Sequence, residues 1–109
     1  MIEIDARCVL FNILLFHESI KLSQLSLFAD ILSRKIPSSY INISDDAIFS
    51  VIDNYSDTFI LKENTISRSE SFGKFAEQEF IDKTVNREFS VEVRNHLHNS
   101  AKEINNVVV

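Results

Sequence analysis

The hydrophobic positions of this chain fall mainly into helical spacing. Val9-Leu10-Phe11 and Ile13-Leu14-Leu15-Phe16 follow Asp5, a suitable N-cap, and predict a first helix over residues 5–16. That helix is apolar on nearly all sides, so the rest of the fold or a second chain must cover it. His17 to Leu22 reads as a connection, with Ile20-Lys21-Leu22 as one strand-like step. Ser23 then caps a second helix running to about Ser33, whose Leu25, Phe28, Ala29 and Leu32 recur at i, i+3, i+4 and i+7. Arg34 and Lys35 close it, and Pro37 disfavours helix at Ile36. Residues 38–43 are expected as a loop or a short extended piece.

A third helix is expected over residues 45–54. Ser44 is its N-cap, Asp45 and Asp46 place negative charge in its first turn, and Ile48, Val51, Ile52 and Tyr55 share a face. Thr58-Phe59-Ile60-Leu61 and Thr65-Ile66-Ser67 flank the polar turn Lys62-Glu63-Asn64 and predict a small hairpin. Ser67 to Ser71 reads as a linker. A fourth helix is expected over residues 71–85, with Phe72, Phe75, Ala76 and Phe80 on one stripe. The tail carries two periodicities. Phe89, Val91 and Val93 alternate as in a strand, whereas Val93, Leu97, Ala101 and Ile104 recur as in a helix. Ser90 as N-cap with Glu92 in the first turn favours the helix. Val107-Val108-Val109 is expected to fray or to meet a partner.

The expected fold is therefore mainly α: a winged-helix-like three-helix domain with a small β-hairpin over residues 1–69, and a helical extension over residues 70–109. Within it, Ile36-Pro37, the helix from Ser44 to Ile52, and the corner Asn54-Tyr55-Ser56-Asp57 leading into Thr58-Phe59-Ile60-Leu61 resemble the LOTUS (OST-type helix-turn-helix) family. The resemblance covers about residues 5–67. It implies a module that binds proteins or RNA and dimerises, with an added C-terminal helix helping some members to engage helicases.

Composition narrows the chemistry. One glycine (Gly73) and one proline in 109 residues leave no glycine-rich loop to cradle a phosphate, and one cysteine excludes an internal disulfide and a Cys-based zinc site. The longest apolar run, Val9 to Phe16, is far short of a membrane span, and the acidic start Met-Ile-Glu-Ile-Asp-Ala is unlike a signal peptide, so an intracellular location is expected. His96 and His98 lie two apart, a poor spacing for a metal on a helix. No Ser/His/Asp or Cys/His order stands out, and neither an enzyme nor a cofactor is expected.

Charge bears on partners. Residues 1–66 hold five basic and nine acidic side chains, a net of −4, and the third helix carries Asp45, Asp46 and Asp53 with no cation. Such a helix is repelled from a nucleic-acid groove, so DNA is not expected there. Nine phenylalanines are a large aromatic payload. Phe72, Phe75, Phe80 and Phe89, after the polar linker, are the candidate partner-binding residues, and a homodimer through the first helix is a second candidate. The principal expectation is a non-enzymatic adaptor or interaction module in a larger, RNA-regulatory type of assembly. One alternative is a winged helix that binds RNA or DNA through its wing with Lys21, Arg34, Lys35 and Lys62. Another is a small helical inhibitor or subunit of a larger machine.

Overall fold

The computed structural model describes residues 1–107, with side chains through Ile104. The expectation placed on Val107 to Val109 lies outside the described side chains. In chain order the elements are β1 (Ile2–Ile4), α1 (Ala6–Phe16), β2 (Ser19–Lys21), a 3-10 turn (Leu22–Gln24), α2 (Leu25–Lys35), β3 (Ser39–Ile41), α3 (Asp45–Asn54), β4 (Phe59–Lys62), β5 (Thr65–Arg68), a second 3-10 segment (Glu70–Phe75), α4 (Gln78–Thr84) and α5 (Val91–Val107). The fold is mainly α, 60% helix against 16% strand.

The helix starts follow the expected capping. Asp5 Oδ1 accepts from the Cys8 amide at 2.9 Å, and Ser44 Oγ accepts from the Ala47 amide at 3.3 Å. Ser90 Oγ accepts from the Val93 amide at 3.2 Å, so the tail is a helix. Ser23 does not cap α2. It lies inside the 3-10 turn, where the Gln24 side chain reaches back to the Lys21 amide at 2.9 Å.

The hairpin forms with both Glu63 (φ 52°) and Asn64 (φ 63°) in the left-handed region, the geometry of a two-residue type I′ turn. β5 is central: it pairs antiparallel with β4 on one side and with β2 on the other. A second sheet, not legible as such in the sequence, is the parallel pair β1–β3, in register Ile2 to Ser39, Glu3 to Tyr40 and Ile4 to Ile41.

α1 is the hub. Ala6 and every residue from Cys8 to Leu14 are buried. Its sides are covered by α3, α4, α5 and β2 of the same chain, not by a second copy. Phe11 meets Phe59 at 4.9 Å, Phe75 at 5.0 Å, Tyr55 at 5.3 Å and Phe72 at 5.8 Å between ring centroids. Seven of the nine phenylalanines (Phe11, Phe16, Phe28, Phe59, Phe72, Phe75 and Phe89) lie in the core or pack against it. One hydrophobic cluster runs from Ile4 to Ile104, and it crosses the boundary expected at Ser69 without a break.

Two expectations for the second half are corrected. Ser67 to Ser71 is not a linker: Ser67 and Arg68 belong to β5, and Ser69 is tied back to Thr58 O through its amide (2.9 Å) and to Asp57 O through its hydroxyl. The helix expected over residues 71–85 is broken in two. The 3-10 segment ends at Phe75, Glu77 is extended (φ −95°, ψ 129°), and α4 starts afresh at Gln78. Turning there lets Phe72 enter the Phe11 cluster while Ile81 of α4 packs into the core from a different direction.

Candidate functional site

The four phenylalanines assigned to a partner separate on folding. Phe72 is 1% exposed and belongs to the core, which corrects its assignment as a surface contact. Phe75 and Phe89 are half-buried against that core. Phe80 is 41% exposed and touches the Phe75 ring edge-on at 5.7 Å. The stripe expected of one continuous helix is thus divided by the break at Glu77.

The four cations of the nucleic-acid alternative also separate. Lys35 closes an ion pair with Glu103 at 2.7 Å, joining α2 to α5. Arg34 Nε donates to the Asp30 carbonyl of its own helix at 3.2 Å. Lys21 and Lys62 do come together, through the sheet register. Both are opposite Thr65, one on each neighbouring strand. Residues opposite one another in a sheet point to the same face, and alternate rows point to alternate faces. The rows containing Phe59, Ile66 and Ile20 face the core, since those three side chains are buried. The outer face therefore holds the rows Ser19–Ser67–Ile60 and Lys21–Thr65–Lys62. It carries two ammonium groups, three hydroxyls and one apolar side chain, Ile60, 49% exposed.

The outward face of α3 is its electrostatic opposite. Asp46, Phe49 and Asp53 stand at i, i+3 and i+7, hence on one side of the helix, with Asp45 and Ser50 beside them, all exposed. Phe49 is 41% exposed. The ion pairs of the described residues are Lys35–Glu103, Lys83–Glu79, His96–Glu92 and His98–Asp82, and none neutralises an aspartate of α3. The inner side, with Ile48 buried, anchors the helix to the core.

A chain of polar side chains ties the helices together. Asn12, buried in the apolar heart of α1, donates to the Cys8 carbonyl (2.7 Å) and to Asn86 Oδ1 (3.0 Å), and Asn86 donates back to Asn12 Oδ1 (3.1 Å). Asn86 also donates to Asp82 Oδ1 at 3.1 Å, and His98 Nε2 donates to that same oxygen at 2.8 Å. The chain Asn12–Asn86–Asp82–His98 joins α1, α4 and α5, with Asn12, Asn86 and His98 buried, Asp82 part-buried, and the far ring nitrogen of His98, Nδ1, left without a partner among the described residues. An asparagine inside an otherwise apolar helix was the sequence signal for it. Cys8 lies beside this chain, its thiol donating to the Val85 carbonyl at 3.6 Å.

Burial, with the Asp5 carboxylate nearby, pushes the Cys8 thiol up to about 12 from an ordinary 9.0. The thiolate is the nucleophilic form, so this sulfur is held inert. At pH 8 the folded chain is expected to resist alkylation by iodoacetamide and the denatured chain to react, as followed by intact mass. The unfolded thiol ionises near 9.0 while the folded one keeps its proton, so its contribution is full below 9.0 and is lost as pH rises.

A cleft of about 310 Å³ opens between the start of α1 and the α4–α5 turn, lined by Glu3, Asp5, Arg7, Arg87, Glu88 and Phe89 among others. Its mixed charges favour no single class of ligand. Among the described residues no three His, Cys, Asp or Glu side chains gather as a metal site, and no helix is long and apolar enough to cross a membrane. Comparison with protein-family models, curated proteins and solved structures finds no match to this chain.

Proposed function

We propose that this chain is a non-enzymatic protein-interaction module built on a winged-helix plan, with α3 and the outer sheet face as its working surfaces. Support for the plan comes from the order α1, β2, α2, α3, β4, β5 and from the sheet order β2-β5-β4. A helix triad followed by a hairpin that takes the early strand onto its second arm is the arrangement of a winged helix. The LOTUS-like corner at residues 54–61 lies between α3 and that hairpin, and kinship with that family is part of the proposal. The extension, α4 and α5, braces α1 from behind.

The observation that carries the functional part is the outward face of α3. In a nucleic-acid-reading winged helix, this helix enters a groove lined by phosphates. Here it presents Asp45, Asp46 and Asp53 around an exposed Phe49, with no cation within ion-pair reach among the described residues. Carboxylates repel a phosphate backbone. An exposed aromatic ring ringed by charge is instead the composition of a protein contact, where aromatic side chains sit at the centre and charge at the rim. Against an enzymatic role stand the sealed Cys8 thiol and the use of His98 and Asp82 to tie helices together.

The nucleic-acid alternative has one favourable observation, the Lys21–Thr65–Lys62 row. Two lysines supply about two phosphate contacts, too few for more than weak binding. Fluorescence anisotropy with labelled single-stranded RNA and duplex DNA at low salt decides between them. The expected result is binding no tighter than about 10⁻⁴ M, the weak end of non-specific association. Micromolar affinity that falls steeply with added salt would overturn the protein-interaction proposal in favour of the wing.

A further inference from the structure

We infer that the α3 face and the outer sheet face are the two halves of one contact, so that a second copy of this chain is the partner that docks on α3. The inference rests on the protein-interaction proposal and names its partner.

The two faces are complementary in charge. The α3 face presents carboxylates, Asp46 and Asp53, on either side of Phe49. The sheet face presents ammonium groups, Lys21 and Lys62, on either side of Thr65, with Ile60 in the neighbouring row. The faces differ in sign: α3 has no Lys or Arg over residues 45–54, and the outer sheet rows hold Lys21 and Lys62 with no Asp or Glu in the rows themselves, Glu63 lying beside them in the hairpin turn. Each also carries one large exposed apolar side chain, Phe49 at 41% and Ile60 at 49%. Placed together, two aspartates meet two lysines while Phe49 and Ile60 leave water. The same faces repel their own kind, so a symmetric α3-to-α3 or sheet-to-sheet pairing is disfavoured.

The contact joins unlike surfaces, so it is heterologous, and in a pair one copy keeps its sheet face free and the other its α3 face. Such contacts build rings or open chains instead of closed two-fold dimers. The faces are small, which places the association among weak, transient ones. Exposed charges supply its selectivity, so it is sensitive to salt, with a screening length falling from about 10 Å at 0.1 M to about 3 Å at 1 M.

Light scattering on the full chain across concentration and salt, with two charge-reversed variants, provides the test. One variant is Asp46→Lys/Asp53→Lys, and the other is Lys21→Glu/Lys62→Glu. All four positions are exposed, and circular dichroism checks that both variants keep the fold. The wild type is expected to reach about twice its monomer mass of 12.5 kDa at millimolar concentration and low salt, and to return to it near 1 M salt. Each variant alone presents two faces of the same predominant sign and is expected to stay monomeric. Mixed, they are expected to associate again, because the lysines now on α3 of one meet the glutamates now on the sheet of the other. A wild type that stays monomeric under all conditions overturns the inference while the nucleic-acid titration still judges the broader proposal. Association that neither reversal weakens, or that mixing does not restore, also overturns it.

Discussion

Replacing Phe11 by alanine is expected to cost about 3–5 kcal/mol of folding stability, the usual range for a fully buried aromatic ring. The reason is its position. Phe11 is 1% exposed and its ring touches Tyr55, Phe59, Phe72 and Phe75, which come from the end of α3, from β4 and from the second 3-10 segment. Four aromatic contacts each carry about 0.5–1.5 kcal/mol beyond area burial, so the loss should lie toward the upper end. A domain of this size is stable by about 5–15 kcal/mol in all. The variant should therefore unfold well below the wild type in a urea titration followed by circular dichroism, with an unchanged slope if only stability is affected. Phe80→Ala is the matched control. Phe80 is 41% exposed and has one aromatic neighbour, so its removal should cost far less.

The second large effect is expected from ending the chain at Ser69. Sequence patterning places a domain boundary there, but the core does not stop at it. Truncation removes Phe72 from the Phe11 cluster and strips Ile81, Val85, Val93, Leu97, Ala101 and Ile104 from the buried set. It also deprives the fully buried Asn12 of its Asn86 partner and His17 of the Ala101 carbonyl that its Nε2 meets at 2.6 Å. What remains is an almost wholly apolar α1 with uncovered sides and an unpaired amide, which costs about 1–3 kcal/mol by itself if it stays buried. The fragment is expected to give poorly dispersed proton NMR spectra and to aggregate. A well-dispersed, monomeric 1–69 fragment would show that α4 and α5 are accessories.

The features legible in the sequence are those set by local chemistry. Asp5, Ser44 and Ser90 each cap the helix that the apolar spacing after them predicts, because a cap hydrogen bond involves residues three apart. Asn64 signals the hairpin turn through its tolerance of positive φ. The acidity of α3 is read directly from its residues. Features set by pairing distant segments are not legible in the same way. The β1–β3 pair joins Ile4 to Ile41, and three residues are too few for the alternation Ile2-Glu3-Ile4 to signal a strand. Lys21 and Lys62 become neighbours only through the register each shares with Thr65, so the sheet face existed in the sequence as scattered charges. Phe72, Phe75 and Phe80 do follow a helical stripe. The turn at Glu77 divides it, and Phe72 stacks on Phe11 while Phe80 lies beyond the break.

Residues 70–104 are expected to unfold as one cooperative unit with the rest of the core, whose hydrophobic cluster runs from Ile4 to Ile104 and holds α3 and the sheet in place. Native-state hydrogen exchange measures this most directly. The slowest amides of α1, β5 and α5, around Ile13, Ile66 and Leu97, are expected to exchange only by global unfolding, with free energies within about 1 kcal/mol of one another. Exchange of the α4 and α5 amides through a separate opening, several kcal/mol below that of α1, would contradict it.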